Sequence, residues 1–168
     1  DLIKYSDNSK DFYHGVTAGD VNKDGLEDFY VGGAAGQSGE LYLQTSNGFN
    51  LSPNQPWESN SSNEELGSAF FDVDKDGDLD LYVLIDVIDQ QPALFRPKVT
   101  DGSYPNTDRL YRCDWSADLK HPVYTNVSKE AGITIEGFGL GVAICDINQD
   151  NWPDIYVTND YVSDALLY

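Results

Sequence analysis

Apolar and polar residues alternate along this chain in short runs and not at helical spacing. The runs are rich in Val, Ile, Phe, Leu and Tyr and are bounded by Gly, Asn, Asp and Pro. Residues 67–71 and 139–145 are clear examples, each beginning with Gly. Such runs are typical of half-buried β-strands. The pattern therefore predicts an all-β fold in which helix is nearly absent.

The predicted strands belong to three copies of one repeat. In each copy Asp or Asn recurs at offsets 0, 2, 4 and 8 from a first Asp, and the copy then ends in an apolar residue, Tyr and Val. The three copies run from Asp20 to Val31, from Asp72 to Val83 and from Asp146 to Val157. A small apolar run precedes each copy, and a Leu-Tyr pair follows it. Agreement at so many positions indicates a true internal repeat.

Each repeat predicts a strand, an acidic loop, a second strand, a turn and a third strand. Segments such as 123–127 supply a fourth strand before the next unit. Four-stranded antiparallel units of this kind are the blades of a β-propeller. Residues 1–168 are interpreted as one propeller segment with repeat cores at about 14–42, 67–111 and 138–168. Because ring closure needs ~4–8 blades, we expect further blades in the same chain or from another copy.

The second repeat contains an insertion at 85–108. It holds three prolines and few periodic apolar positions, which is typical of an exposed loop between strands. Two interpretations of its side chains remain open: a surface for a partner, or a cover for a sheet edge. The residues concerned are Phe95, Arg96, Lys98 and Tyr104.

The charge balance narrows the possible partners. Asp and Glu number 29 against 10 Lys and Arg, for a net charge of −19. Such a chain repels phosphate backbones and anionic membranes, so we expect no nucleic-acid partner. No apolar run reaches the ~18 residues that a membrane span requires. Bound divalent cations would relieve the repulsion among the acids.

The acidic loops have the spacing of a calcium site. Ca²⁺ takes ~6–8 oxygen ligands, and alternate residues of a tight loop point inward. The residue after the third ligand is Gly25, Gly77 or Asn151, the types that best tolerate positive φ. We expect about three Ca²⁺, one per loop, with a backbone carbonyl at offset 6. The predicted ligands are Asp20, Asn22, Asp24, Leu26 and Asp28; Asp72, Asp74, Asp76, Asp78 and Asp80; and Asp146, Asn148, Asp150, Trp152 and Asp154.

An EF-hand is excluded, although its loop opens in the same way. An EF-hand needs Glu at position twelve and flanking helices. Position twelve is Val31, Val83 or Val157, inside a strand pattern. The remaining alternative is that Asp, Asn and Gly merely form turns.

These motifs resemble the FG-GAP or VCBS repeats of integrin-like β-propellers, and residues 138–157 follow that unit closely. Asp108-Arg-Leu-Tyr111, a looser Asp164 to Tyr168 and Glu130 to Ile133 are similar to the cartilage-acidic-protein (ASPIC/UnbV) branch. The resemblance implies a calcium-loaded propeller of about seven blades. It also implies an extracellular, cell-surface or periplasmic location. Asn151 in place of Gly and the insertion depart from the family pattern.

Two functions are compatible with these features. The first is a binding or scaffold module with structural Ca²⁺ and a protein or glycan partner. The second is a propeller enzyme acting on polysaccharide, as a calcium-assisted lyase or a hydrolase. No catalytic residue is assigned, because nucleophile motifs are missing and His14 and His121 lack metal-ligand spacing. The acids left unassigned are Asp86, Asp89, Asp160 and Asp164. Pairing of Cys113 with Cys145 is left open.

Overall fold

The computed structural model describes residues 13–34, 37–58, 63–87, 97–160 and 163–167. Over these residues the chain forms β-strands and no helix, so none is long and apolar enough to cross a membrane. The all-β prediction is confirmed. In chain order the strands are β1 (Tyr13–Gly19), β2 (Asp28–Gly33), β3 (Glu40–Thr45), β4 (Gly48–Leu51), β5 (Asn63–Phe71), β6 (Asp80–Val87), β7 (Arg109–Ser116), β8 (His121–Asn126), β9 (Gly139–Cys145), β10 (Asp154–Asn159) and β11 (Ala165–Leu167).

The described strands form three antiparallel sheets, and each follows chain order. The first sheet has the order β1-β2-β3-β4, the second β5-β6-β7-β8, and the third β9-β10-β11. The first two match the predicted four-stranded blades. In the third unit the described residues supply three strands.

The same register closes all three acidic loops. The residue before the first Asp lies opposite the last Asp of the loop: Gly19 faces Asp28, Phe71 faces Asp80 and Cys145 faces Asp154. Each loop therefore joins the first two strands of its sheet at an equivalent position. A threefold sequence repeat has become a threefold structural repeat.

The core lies between neighbouring sheets. Alternate residues of β6 point to opposite faces: Leu81, Val83 and Ile85 pack in a cluster with side chains of the first sheet. Tyr82 and Leu84 pack in a second cluster with side chains of the third sheet. The second sheet is thus buried on both faces, as a blade between two neighbours would be. The first strands β1, β5 and β9 contact one another in succession.

Trp57, in the connection between the first two sheets, joins them through aromatic contacts. Its ring meets Tyr30 at 5.0 Å, Tyr111 at 4.9 Å and Tyr124 at 5.2 Å between centroids. Such pairs add about 0.5–1.5 kcal/mol each beyond the area they bury. Trp57 therefore stabilises the packing of one blade on the next.

The insertion in the second repeat is less exposed than predicted. β6 continues to Val87, and Asn106, Thr107 and Asp108 are all buried. The exposed-loop prediction fails at these ends because they pack against the strands that they connect. Residues 97–103 are largely exposed, as expected, including Lys98. Phe95 and Arg96 lie outside the described residues, and Tyr104 is half-buried.

The two cysteines lie in different sheets. Cys113 is buried in β7, and Cys145 is exposed at the end of β9. Both are free thiols. Burial raises the pKa of the Cys113 thiol to about 12, so this residue acts as a small apolar core residue.

Candidate metal-binding loops

The three acidic loops share an unusual backbone path. Residues with positive φ occur at the sixth position, as predicted: Gly25 at 86°, Gly77 at 88° and Asn151 at 72°. The fourth position is also left-handed, which the sequence pattern did not indicate. Its residues are Lys23 at 59°, Lys75 at 62° and Gln149 at 63°. Two left-handed residues in each loop make a tight coil around a common centre.

The first Asp of each loop holds this coil together. One of its carboxylate oxygens accepts a hydrogen bond from the N–H of the sixth residue. The pairs are Asp20 with Gly25 at 2.8 Å, Asp72 with Gly77 at 3.0 Å and Asp146 with Asn151 at 2.8 Å. The loop geometry therefore comes from the motif's own side chains.

The last Asp of each loop is buried. Its Oδ2 accepts from the N–H of the second loop residue, at 3.1 Å from Val21, 2.8 Å from Val73 and 2.6 Å from Ile147. The Oδ1 atoms of Asp28 and Asp80 also accept an N–H from the third strand of their sheets, each at 2.7 Å. Burial raises the pKa of Asp80 to about 6. Asp80 therefore links its own strand β6 to the acidic loop and to β7, a structural role that spacing alone did not predict.

The third loop position distinguishes the second loop from the others. In the first and third loops it is Asn, whose amide donates to the next ligand residue: Asn22 to Asp24 at 3.1 Å and Asn148 to Asp150 at 3.0 Å. In the second loop it is Asp74, which has no amide to donate. Burial and the neighbouring charges of Asp76 and Asp72 raise the pKa of Asp74. Asp76 therefore does not receive the Asn amide donor that Asp24 and Asp150 receive.

The second loop brings three carboxylates to one point. One oxygen each from Asp72, Asp74 and Asp80 lies within 4.8 Å of the others. Two ligands of one calcium ion, each ~2.3–2.6 Å from it, can be at most about 5 Å apart. In addition, Oδ1 of Asp72 is buried without a hydrogen-bond donor among the described residues. These oxygens fit a hard cation, and a buried carboxylate oxygen without a donor is costly otherwise.

The other predicted ligands occupy consistent positions. The fifth residue of each loop accepts an N–H from the seventh: Asp24 from Leu26 at 2.9 Å, Asp76 from Asp78 at 2.8 Å and Asp150 from Trp152 at 2.8 Å. The seventh residues Leu26, Asp78 and Trp152 were predicted to contribute only their backbone carbonyls. The side chain of Asp78 is turned to other partners: its Oδ2 accepts from Trp115 N.

A comparison with family models found a match to part of the chain. Residues 20–83, from the first acidic loop through four residues of β6, match the model for the FG-GAP-like repeat. Over these residues the chain is similar to an FG-GAP-like repeat. A search of curated proteins found no match to the chain. The cartilage-acidic-protein branch stays a prediction.

Outside the matched residues, the third loop has the same geometry as the first loop. Asp146 and Asp154 make the same backbone contacts as Asp20 and Asp28. The Asn151 substitution keeps the positive φ of Gly25 and Gly77, because Asn is among the residues that tolerate this conformation. The departure from the family pattern thus leaves the loop path unchanged.

In all three repeats a Tyr is paired with a carboxylate, a relationship that the sequence analysis missed. The Tyr of each apolar-Tyr-Val segment donates its hydroxyl to a carboxylate: Tyr30 to Glu65 at 2.8 Å, Tyr82 to Asp108 at 3.0 Å and Tyr156 to Asp164 at 2.7 Å. The same carboxylate accepts the backbone N–H three residues after the Tyr, from Gly33, Ile85 and Asn159 respectively. For Asp108 and Asp164, the first Asp of the Asp-x-Leu-Tyr motif was the sequence signal that could have indicated this role.

This finding gives a structural role to one of the unassigned acids. Asp164 holds Tyr156 and the N–H of Asn159. Asp86 and Asp160 each have an interaction of their own. Asp89 lies outside the described residues.

Proposed function

We propose that this chain is a calcium-stabilised β-propeller module that binds a protein or glycan partner outside the cytoplasm. Each acidic loop would hold one structural Ca²⁺. The observation that carries the proposal is the second loop, where oxygens of Asp72, Asp74 and Asp80 lie within 4.8 Å of one another and one Asp72 oxygen has no donor.

The donor set favours calcium over transition metals. Every predicted ligand in the three loops offers oxygen, and none offers His nitrogen or Cys sulfur. Oxygen-only sites suit hard cations, and Ca²⁺ accepts the irregular geometry of a flexible loop more readily than Mg²⁺ does. When bound, the ion would supply positive charge to clustered carboxylates. The loop residues would then fix the first two strands of each blade.

The location outside the cytoplasm follows from expected affinity. Calcium affinity falls as charged ligands are replaced by neutral ones and as a site becomes less rigid, and extracellular modules bind at ~10⁻⁴–10⁻³ M. Two of the three loops carry Asn at the third position, and Asp24 and Asp150 are exposed. Such sites would fill where calcium is abundant. The calcium would be structural, so partner binding is assigned to the surface that the stabilised blades present.

Thermal unfolding in calcium and in chelator tests the proposal. An ion that binds only the folded state stabilises it, by about 2.7 kcal/mol per site at a hundredfold excess over Kd. We expect a clear fall in Tm on chelation, recovered by Ca²⁺ and poorly by Mg²⁺. The Asp72→Ala variant should lose most of the increase in Tm that calcium binding to the second loop provides. Asp101→Ala, which removes an exposed acid outside the loops, should respond as the parent does. The same Tm in both conditions would contradict the proposal.

A further inference from the structure

Consecutive acidic loops touch each other through equivalent positions. Lys23 of the first loop places its Nζ 2.5 Å from Oδ1 of Asp78 in the second loop. Lys75 of the second loop places its Nζ 4.0 Å from the ring centroid of Trp152 in the third loop. In both cases the fourth residue of one loop meets the seventh residue of the next. We call these two pairs the inter-loop contacts.

The fourth position is costly for lysine. Lys23 and Lys75 have φ of 59° and 62°, in the left-handed region that Gly and Asn adopt more easily. Gln149 has the same conformation in the third loop, so the loop path itself imposes it, and in the first two loops this path carries a long side chain toward the next repeat. Each lysine leaves its loop between the second and third ligand residues, and the left-handed turn directs it to the neighbouring repeat.

We infer that the inter-loop contacts make the packing of one repeat on the next depend on calcium. This inference rests on the proposed function. The residues on either side of Lys23 and Lys75 are proposed ligands: Asn22 and Asp24 in the first loop, Asp74 and Asp76 in the second. An ion held by them would restrain this backbone further, beyond the hydrogen bonds that Asp20 and Asp72 already accept. Without the ion, that backbone has more conformational freedom, so the lysine is held less well in contact with the next loop.

The receiving residues belong to the next metal site. Asp78 and Trp152 occupy the position proposed to supply a backbone carbonyl ligand. Asp78 is held on its other side, because its Oδ2 accepts from Trp115 N at 3.0 Å. Its side chain is 11% exposed, against 53% for Lys23. The contact therefore joins an exposed donor to a largely buried acceptor that is already held by Trp115, so its formation depends on where the donor loop places Lys23.

Alanine variants of the two lysines test the inference, with a third lysine as a matched control. Lys120 also has positive φ, 55°, and is exposed in the turn between β7 and β8. Within the described residues its side chain has no ion pair or ring contact with another repeat. Lys120→Ala removes the same charge and keeps the same positive φ, without removing an inter-loop contact. Lys23→Arg and Lys75→Arg keep the positive charge and should keep the contact.

The measurement is Tm of each variant in saturating calcium and in chelator. In calcium, Lys23→Ala and Lys75→Ala should melt below Lys120→Ala, by a few degrees for these partly exposed contacts, while the Arg variants melt near the parent. In chelator the three Ala variants should melt together. Equal melting of the three in calcium would overturn the inference, and so would a deficit of the same size in both conditions. A parent whose Tm ignores calcium would overturn the proposed function and this inference together.

Discussion

Tyr82 donates its hydroxyl to Oδ2 of Asp108 at 3.0 Å, and both residues are buried. The other oxygen of Asp108 accepts the backbone N–H of Ile85 at 2.9 Å. One carboxylate thus satisfies a hydroxyl and an amide inside the second sheet. Burial raises the pKa of Asp108 to about 7 and also raises that of Tyr82. A buried carboxylate of this kind is sensitive to the loss of either donor.

Removing the Tyr82 hydroxyl should destabilise the fold. Tyr82→Phe leaves Oδ2 of Asp108 without its donor, and a buried hydrogen bond to a charged group contributes about 1.5–3 kcal/mol. Denaturant unfolding of the variant should show a loss of that size at neutral pH. The loss is this large because the acceptor, Oδ2 of Asp108, is buried and water cannot replace the missing donor.

The matched control is Tyr156→Phe. Tyr156 makes the equivalent bond to Asp164 at 2.7 Å, but both residues are exposed. Water can replace the lost donor there, so the free energy of unfolding should change by less than about 1 kcal/mol. Equal losses in the two variants would show that burial does not set the strength of this pair.

The raised pKa of Asp108 predicts a dependence of stability on pH. Its folded-state pKa of about 7 lies above the unfolded value of ~3.9, so between these values the folded state binds more protons. Stability from this group is therefore present at low pH and is lost as pH rises toward 7. The contribution of Asp108 to the free energy of unfolding that is lost over this range is of the order of 4 kcal/mol. Asp108→Asn should flatten the fall in Tm between pH 5 and 8 in saturating calcium.

Asp101→Asn serves as the control for that experiment. Asp101 is an exposed acid of the same insertion, and hydrogen bonds from Ser103 lower its pKa. Its titration lies below the window, so the slope of Tm with pH should match that of the parent. A parent curve that is already flat between pH 5 and 8 would contradict the assignment to Asp108.

The sequence predicted what is local and repeated. The left-handed residues Gly25, Gly77 and Asn151 were predicted because the offset pattern places them in a fixed turn. The strand on each side followed from alternation. The fold class needed no long-range information, since each blade consists of neighbouring strands joined by short connections.

Contacts between repeats were not predictable in the same way. Tyr30 needs a carboxylate, but the position that holds Asp108 in the second repeat is Gly39 in the first. Glu65, on the first strand of the next sheet, supplies the acid instead. A repeat pattern compares equivalent positions and therefore cannot show a partner that has moved to another strand. The burial of the end of the insertion was not predictable either, because Asp108 is a polar residue in a loop pattern and yet is buried.

Gly39→Ala should disrupt the first of these Tyr–carboxylate pairs. A Cβ at this position would overlap the hydroxyl of Tyr30 and would lie 2.5 Å from Oε2 of Glu65. Tyr30 is fully buried, so it has little room to move. We expect a loss of about 1–3 kcal/mol in the free energy of unfolding, the usual cost of overpacking a core.

Gly141→Ala in β9 is a suitable comparison for Gly39→Ala. Its Cβ would meet only Oγ1 of Thr158, at 3.0 Å, and that exposed side chain can rotate. Denaturant unfolding should show a change of less than about 1 kcal/mol. If Gly39→Ala is equally mild, then Tyr30 and Glu65 do not depend on the missing side chain.

Asp74→Asn should affect the second loop with opposite signs in the presence and absence of calcium. Without the ion, Asn can donate to Asp76 as Asn22 donates to Asp24, and it removes a carboxylate whose pKa is raised by burial and by like charges. Tm in chelator should therefore rise, by the equivalent of about 1 kcal/mol. With the ion, a charged ligand has become neutral, so calcium affinity should fall.

The reciprocal variant Asn22→Asp should reverse both effects in the first loop. It removes an amide donor and adds a carboxylate beside Asp20 and Asp24, so Tm in chelator should fall. The added charge should tighten calcium binding, measured by calorimetric titration. The two variants exchange the same two side chains between equivalent positions, so differences in packing largely cancel. For either variant, a change in Tm of the same sign in calcium and in chelator would contradict the prediction. It would mean that the charge of the third loop residue does not control cation binding.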